Sequence, residues 1–218
     1  MKRLLPLLLG LIVGLILLMP ARLLLPAPPL AAASVEGTVW RTRLTDAALG
    51  GARLGDVQLA LQLSGLMKGR AQWAATGGLT GTLWRSLSGT GVEGLSGQLT
   101  GMPLAGVPAA SIGLTAVDVA LDGHGRCQSA GGQIQLQLRT ALAGQTSLSG
   151  ALRCDGSALA VPMASSDGRV RLDLTITGSG WTTRLVVAGV GPGDAAVLTS
   201  AGFRAENGAL VSVGDGRW

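Results

Sequence analysis

His124 is the only histidine of the chain and therefore the first side chain to consider for acid–base or metal chemistry. It lies among glycines in residues 122–126, a turn-like stretch with no serine or cysteine placed to act as its nucleophile. Asp118 and Asp122 stand nearby, but two carboxylates at a turn are more often solvated than catalytic. No nucleophile-elbow, zinc-protease or phosphate-loop motif occurs. The residues predict a protein that is not an enzyme, with no catalytic residues, no metal site and no cofactor.

The two cysteines, Cys127 and Cys154, are the next candidates for chemistry. Alternating segments at 133–139 and 146–153 lie between them, and these segments indicate a hairpin whose open end would bring the cysteines together. We predict a Cys127–Cys154 disulfide, which requires an oxidising compartment. The alternative is two buried free thiols, since no CxxC pair supports redox or metal binding.

The overall composition predicts a folded chain that does not bind nucleic acid. The apolar fraction of 47% argues against disorder. The formal net charge is +5, but three of the 17 basic residues, Lys2, Arg3 and Arg22, flank the N-terminal apolar segment. The remaining charges are scattered singly, without the basic stripe of a nucleic-acid binder.

The N-terminal segment predicts a membrane anchor. Residues 4–21 contain no charge, a length just sufficient to cross a bilayer. We predict a cytoplasmic start at 1–3, a transmembrane signal-anchor helix at 4–25, a Pro/Ala-rich linker at 26–34 and a periplasmic domain at 35–218, because the basic residues precede the apolar segment. The alternative is a cleaved signal peptide ending near the alanines at 31–33.

Most of the exported region predicts β-strands. Apolar and polar residues alternate at 57–63, 133–139 and 170–176. Short Asp-Gly and Asn-Gly turns between such segments predict antiparallel neighbours in a meander. Glycines within strands indicate a strongly curved sheet. The expected fold is therefore mainly β, with one short helix near the C-terminus, N-capped by Asp194, covering 195–201 and terminated by Gly202.

The apolar face of this sheet has two interpretations, a closed core or a groove for acyl chains. Its lining would be aliphatic, because Trp and Phe are few and Tyr is absent. Five tryptophans are spread along the chain and would fill core gaps or form an interface row. They are Trp40, Trp73, Trp84, Trp181 and Trp218.

The order of these features resembles the type II secretion system protein N family. A short basic start and an apolar segment precede residues 35–40 (VEGTVW), and residues 148–156 (LSGALRCDG) and 160–170 (AVPMASSDGRV) follow in the family's order. The family is also similar to AsmA-like lipid-transfer proteins. The resemblance carries over no catalytic residue.

The resemblance implies a single-pass inner-membrane protein with its N-terminus cytoplasmic and its domain periplasmic. Its expected role is to assist the export of folded proteins across the outer membrane. The expected partners are other type II secretion system components, with phospholipid as a further candidate. Free sheet edges are candidate contact sites through strand addition. The alternative function is an AsmA-like lipid-binding or lipid-transfer protein with an envelope role independent of secretion. A third hypothesis is an exported adhesin.

Overall fold

The computed structural model describes residues 14, 18, 30–49, 52–101, 103–104, 107–140 and 144–217. Within these residues the chain is mainly β. The strands are β1 Leu30–Ala31, β2 Ser34–Thr38, β3 Arg41–Leu49, β4 Ala52–Gln62, β5 Arg70–Gly77, β6 Leu79–Ser86, β7 Gly89–Thr100, β8 Pro103–Leu104, β9 Val107–Asp122, β10 Cys127–Thr140, β11 Gly144–Ala151, β12 Arg153–Asp155, β13 Ala158–Ser165, β14 Val170–Thr177, β15 Gly180–Ala188, β16 Arg204–Glu206 and β17 Ala209–Arg217. The helices are α1 Leu63–Leu66 and α2 Pro192–Ser200.

The strands form one antiparallel sheet in which neighbours in sequence are neighbours in space. β3 to β7 pair in succession, β7 pairs with β9, and β9 pairs with β10. The series continues through β11 and β12 to β13, β14, β15 and β17. β1 and β2 both pair with β3 at one edge, and the three-residue β16 pairs with β17 at the other. Short connections make this meander, as the turn residues predicted.

Bulges and a local closure interrupt the regular pairing. The β5–β6 hairpin turns at Gly78, and beyond it Arg53 of β4 pairs directly with Thr100 of β7. The β9–β10 ladder shifts register at three places. Such irregularities bend and twist a sheet.

Two apolar clusters form along one face of this sheet. The C-terminal cluster is the larger, and Leu136, Leu148 and Leu172 within it are at most 1% exposed. The smaller N-terminal cluster is centred on Leu44 and Val57. Side chains that are so completely buried make most of the inner face a closed core, which is the first of the two interpretations of this face.

Helix α2 lies near the C-terminus as predicted, but it begins earlier than predicted. Pro192 occupies the first turn and Gly191 is the N-cap, whereas Asp194 lies within the first turn. Proline is favoured there because its missing N–H would have no helical partner. Gly202 follows the helix at φ 96°, in agreement with its predicted role as terminator. The four-residue helix α1 between β4 and β5 was not expected.

The predicted anchor at residues 4–25 lies outside the described residues, apart from Gly14 and Leu18. Within the part of the chain that the structure describes, no helix is long and apolar enough to span a bilayer.

The register defines two ends of the sheet. The described sheet begins at Leu30, which pairs with Leu49, and we call this the near end. The turns after β2, β4, β6 and β9 lie at the opposite end, because Thr38 pairs with Arg41, Arg70 with Ser86, and Gly89 with Asp122. We call this the far end.

Candidate functional site

Cys127 and Cys154 form a disulfide whose Cα atoms are 5.6 Å apart. Cys127 is the first residue of β10 and Cys154 lies in β12, so the bond closes a loop with a sequence separation of 27 residues. The backbone N–H of Cys127 also donates to the carbonyl of Ser157, at 2.8 Å. The bond therefore fixes the far end of β10 to the β12–β13 hairpin.

The turn that contains His124 is organised by Asp122. One Asp122 carboxylate oxygen accepts the backbone N–H groups of His124 and Arg126, at 2.8 and 2.9 Å, and the other accepts Arg126 Nε at 2.6 Å. These hydrogen bonds, first the one from the Arg126 backbone, lower the pKa of Asp122 to about 2 against desolvation, which raises it. His124 itself is exposed. The arrangement is that of a stabilised turn.

The other predicted acidic neighbour, Asp118, has a separate structural role. Its side chain accepts the backbone N–H of Gly94 at 2.7 Å, which joins β9 to the bulged part of β7. Among the described residues no three His, Cys, Asp or Glu side chains are grouped as metal ligands.

A cleft of about 280 Å³ opens between helix α2 and the sheet. Its walls include Leu185, Val187 and Phe203. Asp167 and Arg169 also line it, and their side chains lie 3.7 Å apart. The Ser165 hydroxyl donates to Asp167 at 2.5 Å, and this contact is the main cause of the lowered pKa of Asp167. The cleft is thus a part of the inner face, among the described residues, that the core does not fill.

Among the described residues, both edges of the sheet present strands that have a pairing partner on only one side over part or all of their length. At the β2 edge, Val35 is 38% exposed and Glu36 is exposed. At the other edge, β16 covers only Ala209 to Val211 of β17, and Val213 beyond it is 67% exposed. Each edge therefore has backbone positions at which a further strand could be added.

The described tryptophans lie toward the far end of the sheet. Trp40 is in the β2–β3 turn, Trp84 is third from the end of β6, and Trp181 is second in β15. Trp73, the fourth residue of β5, pairs with Leu61 and Leu83. Trp218 lies outside the described residues. The five tryptophans are dispersed along the sequence, and the meander that brings the four described ones toward one end is a tertiary feature.

A groove in the apolar face was one of the two interpretations of the sequence, but its position at α2 was not predicted. A second feature of the surface was missed, a group of exposed apolar side chains in far-end turns, such as Met67. The signal for the second was available, because turns between strands are normally polar and residues 63–67 (LSGLM) contain three large apolar residues.

These observations define the class as a disulfide-bonded, mainly antiparallel β domain with open sheet edges. The chain belongs to the type II secretion system protein N family, whose model matches residues 28–211. This match confirms the resemblance found from the sequence. Membership makes the chain a relative of type II secretion components and implies association with other components of that system and with the cell envelope. No curated protein and no solved structure matches the chain.

Proposed function

We propose that the chain is an accessory, non-catalytic inner-membrane component of the type II secretion system. The observation that carries this proposal is the family match over residues 28–211, nearly the whole of the proposed periplasmic domain. Residues 4–25 are the proposed anchor, and residues 35–218 face the periplasm. The Cys127–Cys154 bond supports an oxidising compartment.

The secretion role is tested in a deletion strain of the source bacterium that has no second copy. We expect exoproteins that normally leave through the outer membrane to accumulate in the periplasm, and a plasmid copy of the full chain to restore export. Normal export in the deletion strain would contradict the proposal.

The topology is tested separately with an N-terminal epitope and a C-terminal alkaline phosphatase fusion. We expect phosphatase activity, which requires the periplasm, and an intact epitope in the membrane fraction. Recovery of a soluble periplasmic chain without the epitope would instead identify a cleaved signal peptide.

The two sheet edges are the proposed contact sites for other secretion components. A photo-crosslinking residue at Glu36 reports on the β2 edge, and one at Val213 reports on the β17 edge. Arg171, which is exposed within β14 away from either edge, is the matched control position. We expect crosslinks to a secretion component from an edge position and none from Arg171, and equal crosslinking at all three positions would contradict strand addition.

The α2 cleft is the one observation that favours the alternative, a lipid-binding protein. Its volume of about 280 Å³ is at the lower limit of small-molecule pockets, so it would hold part of one acyl chain. Native mass spectrometry of the full chain in mild detergent tests this alternative. One phospholipid per chain, lost when Val190→Trp fills the cleft, would support it, and equal lipid on both proteins would contradict it.

A further inference from the structure

Four large apolar side chains stand exposed on two adjacent turns at the far end of the sheet. In the turn after β4, Leu63, Leu66 and Met67 are 61%, 49% and 92% exposed, and in the turn after β6, Leu87 is 105% exposed. We call these four residues the tip. Because Arg70 pairs with Ser86, the two turns are neighbours and the tip is one surface.

The fold holds the tip side chains outward. Gly65 is buried against β5, where an added Cβ would lie 2.8 Å from the carbonyl of Arg70. Hydrogen bonds from Lys68 N to Gly65 O and from Gly69 N to Leu66 O, at 2.9 and 3.0 Å, close this turn. The turn that carries Leu87 is closed by Ser86, whose hydroxyl donates to the carbonyl of Gly89 at 3.2 Å. Both turns are therefore ordered structures that present their apolar side chains to the surroundings.

The charge around the tip is positive. Lys68 lies within the turn after β4, Arg41 directly follows the β2–β3 turn, and Arg85 precedes Leu87 by two residues. All three side chains are exposed, and none forms an ion pair among the described residues. Two carboxylates of the neighbouring strands and turns are already paired, Glu93 with Arg70 at 3.0 Å and Asp122 with Arg126, whereas Asp155 in the more distant β12–β13 turn has no ion pair among the described residues. An anionic surface is thus the complementary partner.

Tryptophans lie immediately behind the tip. Trp84 precedes Leu87 by three residues, or about 10 Å of extended strand. The carbonyl of Trp40 accepts the N–H of Leu61 at 2.9 Å, next to the start of the first turn. The Arg70 guanidinium lies 5.6 Å from the Trp84 ring. Exposed apolar side chains, cationic side chains and indole rings are the residue types that are enriched where proteins contact a membrane interface.

We infer that the tip inserts into the interface of an anionic phospholipid bilayer. Leu63, Leu66, Met67 and Leu87 enter the acyl boundary, while Lys68 and the neighbouring arginines contact phosphate headgroups. A protein partner fits less well, because protein hot spots centre on Trp, Tyr and Arg in packed pockets, whereas the tip offers flexible Leu and Met side chains on convex turns.

This inference goes beyond the proposed function, since it requires no secretion partner. It also assigns different roles to the two ends of the sheet. The described sheet begins at the near end, and the nine residues of β3 separate the two ends by about 30 Å. A chain anchored next to Leu30 would therefore carry its tip about 30 Å along the strands from the anchored end.

The test uses the full chain in amphipol, with an environment-sensitive nitrobenzoxadiazole dye on Leu87→Cys. The native cysteines are paired, so the introduced thiol is labelled selectively. A second variant of the same chain carries the dye on Ser166→Cys, an exposed turn position at the near end of the sheet. Vesicles of phosphatidylethanolamine with phosphatidylglycerol, or of phosphatidylcholine alone, are added. We expect a blue shift of the dye at position 87 with the anionic vesicles and little change at 166.

Variants then separate the contributions of the tip. Met67→Asp is expected to weaken vesicle binding at least about tenfold. The substitution removes an apolar side chain that would be buried in the bilayer and adds a negative charge that anionic lipids repel. Lys68→Glu is expected to weaken binding to anionic vesicles by several fold. Val197→Asp, which changes a half-exposed apolar residue of α2, is the matched control and should bind like the wild type.

Several results would overturn the inference. They are no shift at position 87 with anionic vesicles, a shift at 166 without one at 87, and unchanged binding by Met67→Asp. A shift at 87 that needs a membrane protein extract, and does not occur with protein-free vesicles, would identify a protein partner instead.

Discussion

At the scale of single residues, the far-end turns are determined by a few side chains with defined partners. The Cys127–Cys154 bond joins two of these turns covalently, and Asp122 organises one of the two, the β9–β10 turn, through three hydrogen bonds. The cysteines and the Asp122 turn are the places where the sequence offered candidates for catalysis or metal binding. In the structure, the contacts of both stabilise the fold.

Removal of the disulfide is expected to lower the stability markedly. In the chain-entropy model a loop of this length contributes about 3–4 kcal/mol, so Cys127→Ala with Cys154→Ala should lower the free energy of unfolding by about that amount. Urea denaturation followed by tryptophan fluorescence measures the change. Reductant should destabilise the wild type similarly and leave the double variant unaffected. Equal stability of all these samples would show that the bond does not constrain the unfolded chain.

The Asp122 turn predicts a defined acid sensitivity. Its pKa is about 2 in the folded protein and about 4 when unfolded. The ionised carboxylate therefore stabilises the fold above about pH 4, and this contribution is lost as the pH falls toward about 2. Melting temperatures measured from pH 7 to pH 2 should show Asp122→Asn less stable than the wild type at neutral pH, with the difference shrinking in acid. Asp155→Asn, in another Asp-Gly turn, serves as the control, and a pH-independent difference at position 122 would contradict the argument.

At the scale of elements, helix α2 is stabilised by packing against the sheet. It has only nine residues, too few for independent stability. Phe203, three residues after the end of the helix, is 3% exposed, and its N–H donates to the carbonyl of Leu198 at 3.1 Å. Phe203 therefore connects α2 to the C-terminal cluster.

Phe203→Ala is accordingly expected to destabilise the fold by about 3–5 kcal/mol, the usual cost of removing a buried phenyl ring. Val197→Ala, on the exposed side of the same helix, should change stability by about 0.5 kcal/mol or less. Chemical denaturation of the two variants provides the comparison. Similar losses for both would mean that Phe203 is not the residue that holds the helix.

At the scale of the whole molecule, one sheet carries two cores of unequal size. Among the described residues, the C-terminal cluster has eleven buried members and the N-terminal cluster five. Local opening costs least where apolar contacts are few. The sheet is continuous, but its stability is therefore expected to differ along its length.

Hydrogen exchange should reveal this difference. We expect amides in β3–β6 to exchange faster than those in β10, β13 and β14, with protection in the latter approaching that of global unfolding. Leu172→Ala should raise exchange throughout the sheet, whereas Leu44→Ala should raise it mainly in the N-terminal strands. Uniform protection, or identical effects of the two substitutions, would indicate a single cooperative unit.

Much of the fold was predictable because its signals are local. Alternation at 133–139 and 170–176 predicted strands that the structure contains, and the Asn207-Gly208 turn has the positive φ angles, 50° and 78°, of a tight hairpin. The start of α2 was placed too late, because Asp194 and Gly191 are both acceptable N-caps and the choice depended on Pro192. The predicted anchor at 4–25 and the proposed partners remain predictions.

Alternation, turn residues and motif order are all carried by the order of residues along the chain, so several strands, their antiparallel succession and the family could be predicted from the sequence. What the apolar residues do depends on the tertiary fold. Burial depends on which strands bend over which, so the inner face became core at Leu148 and remained a cleft at α2. In the same way, Met67 lies 20 residues before Leu87, yet both belong to one end of the molecule, because the strand register aligned their turns.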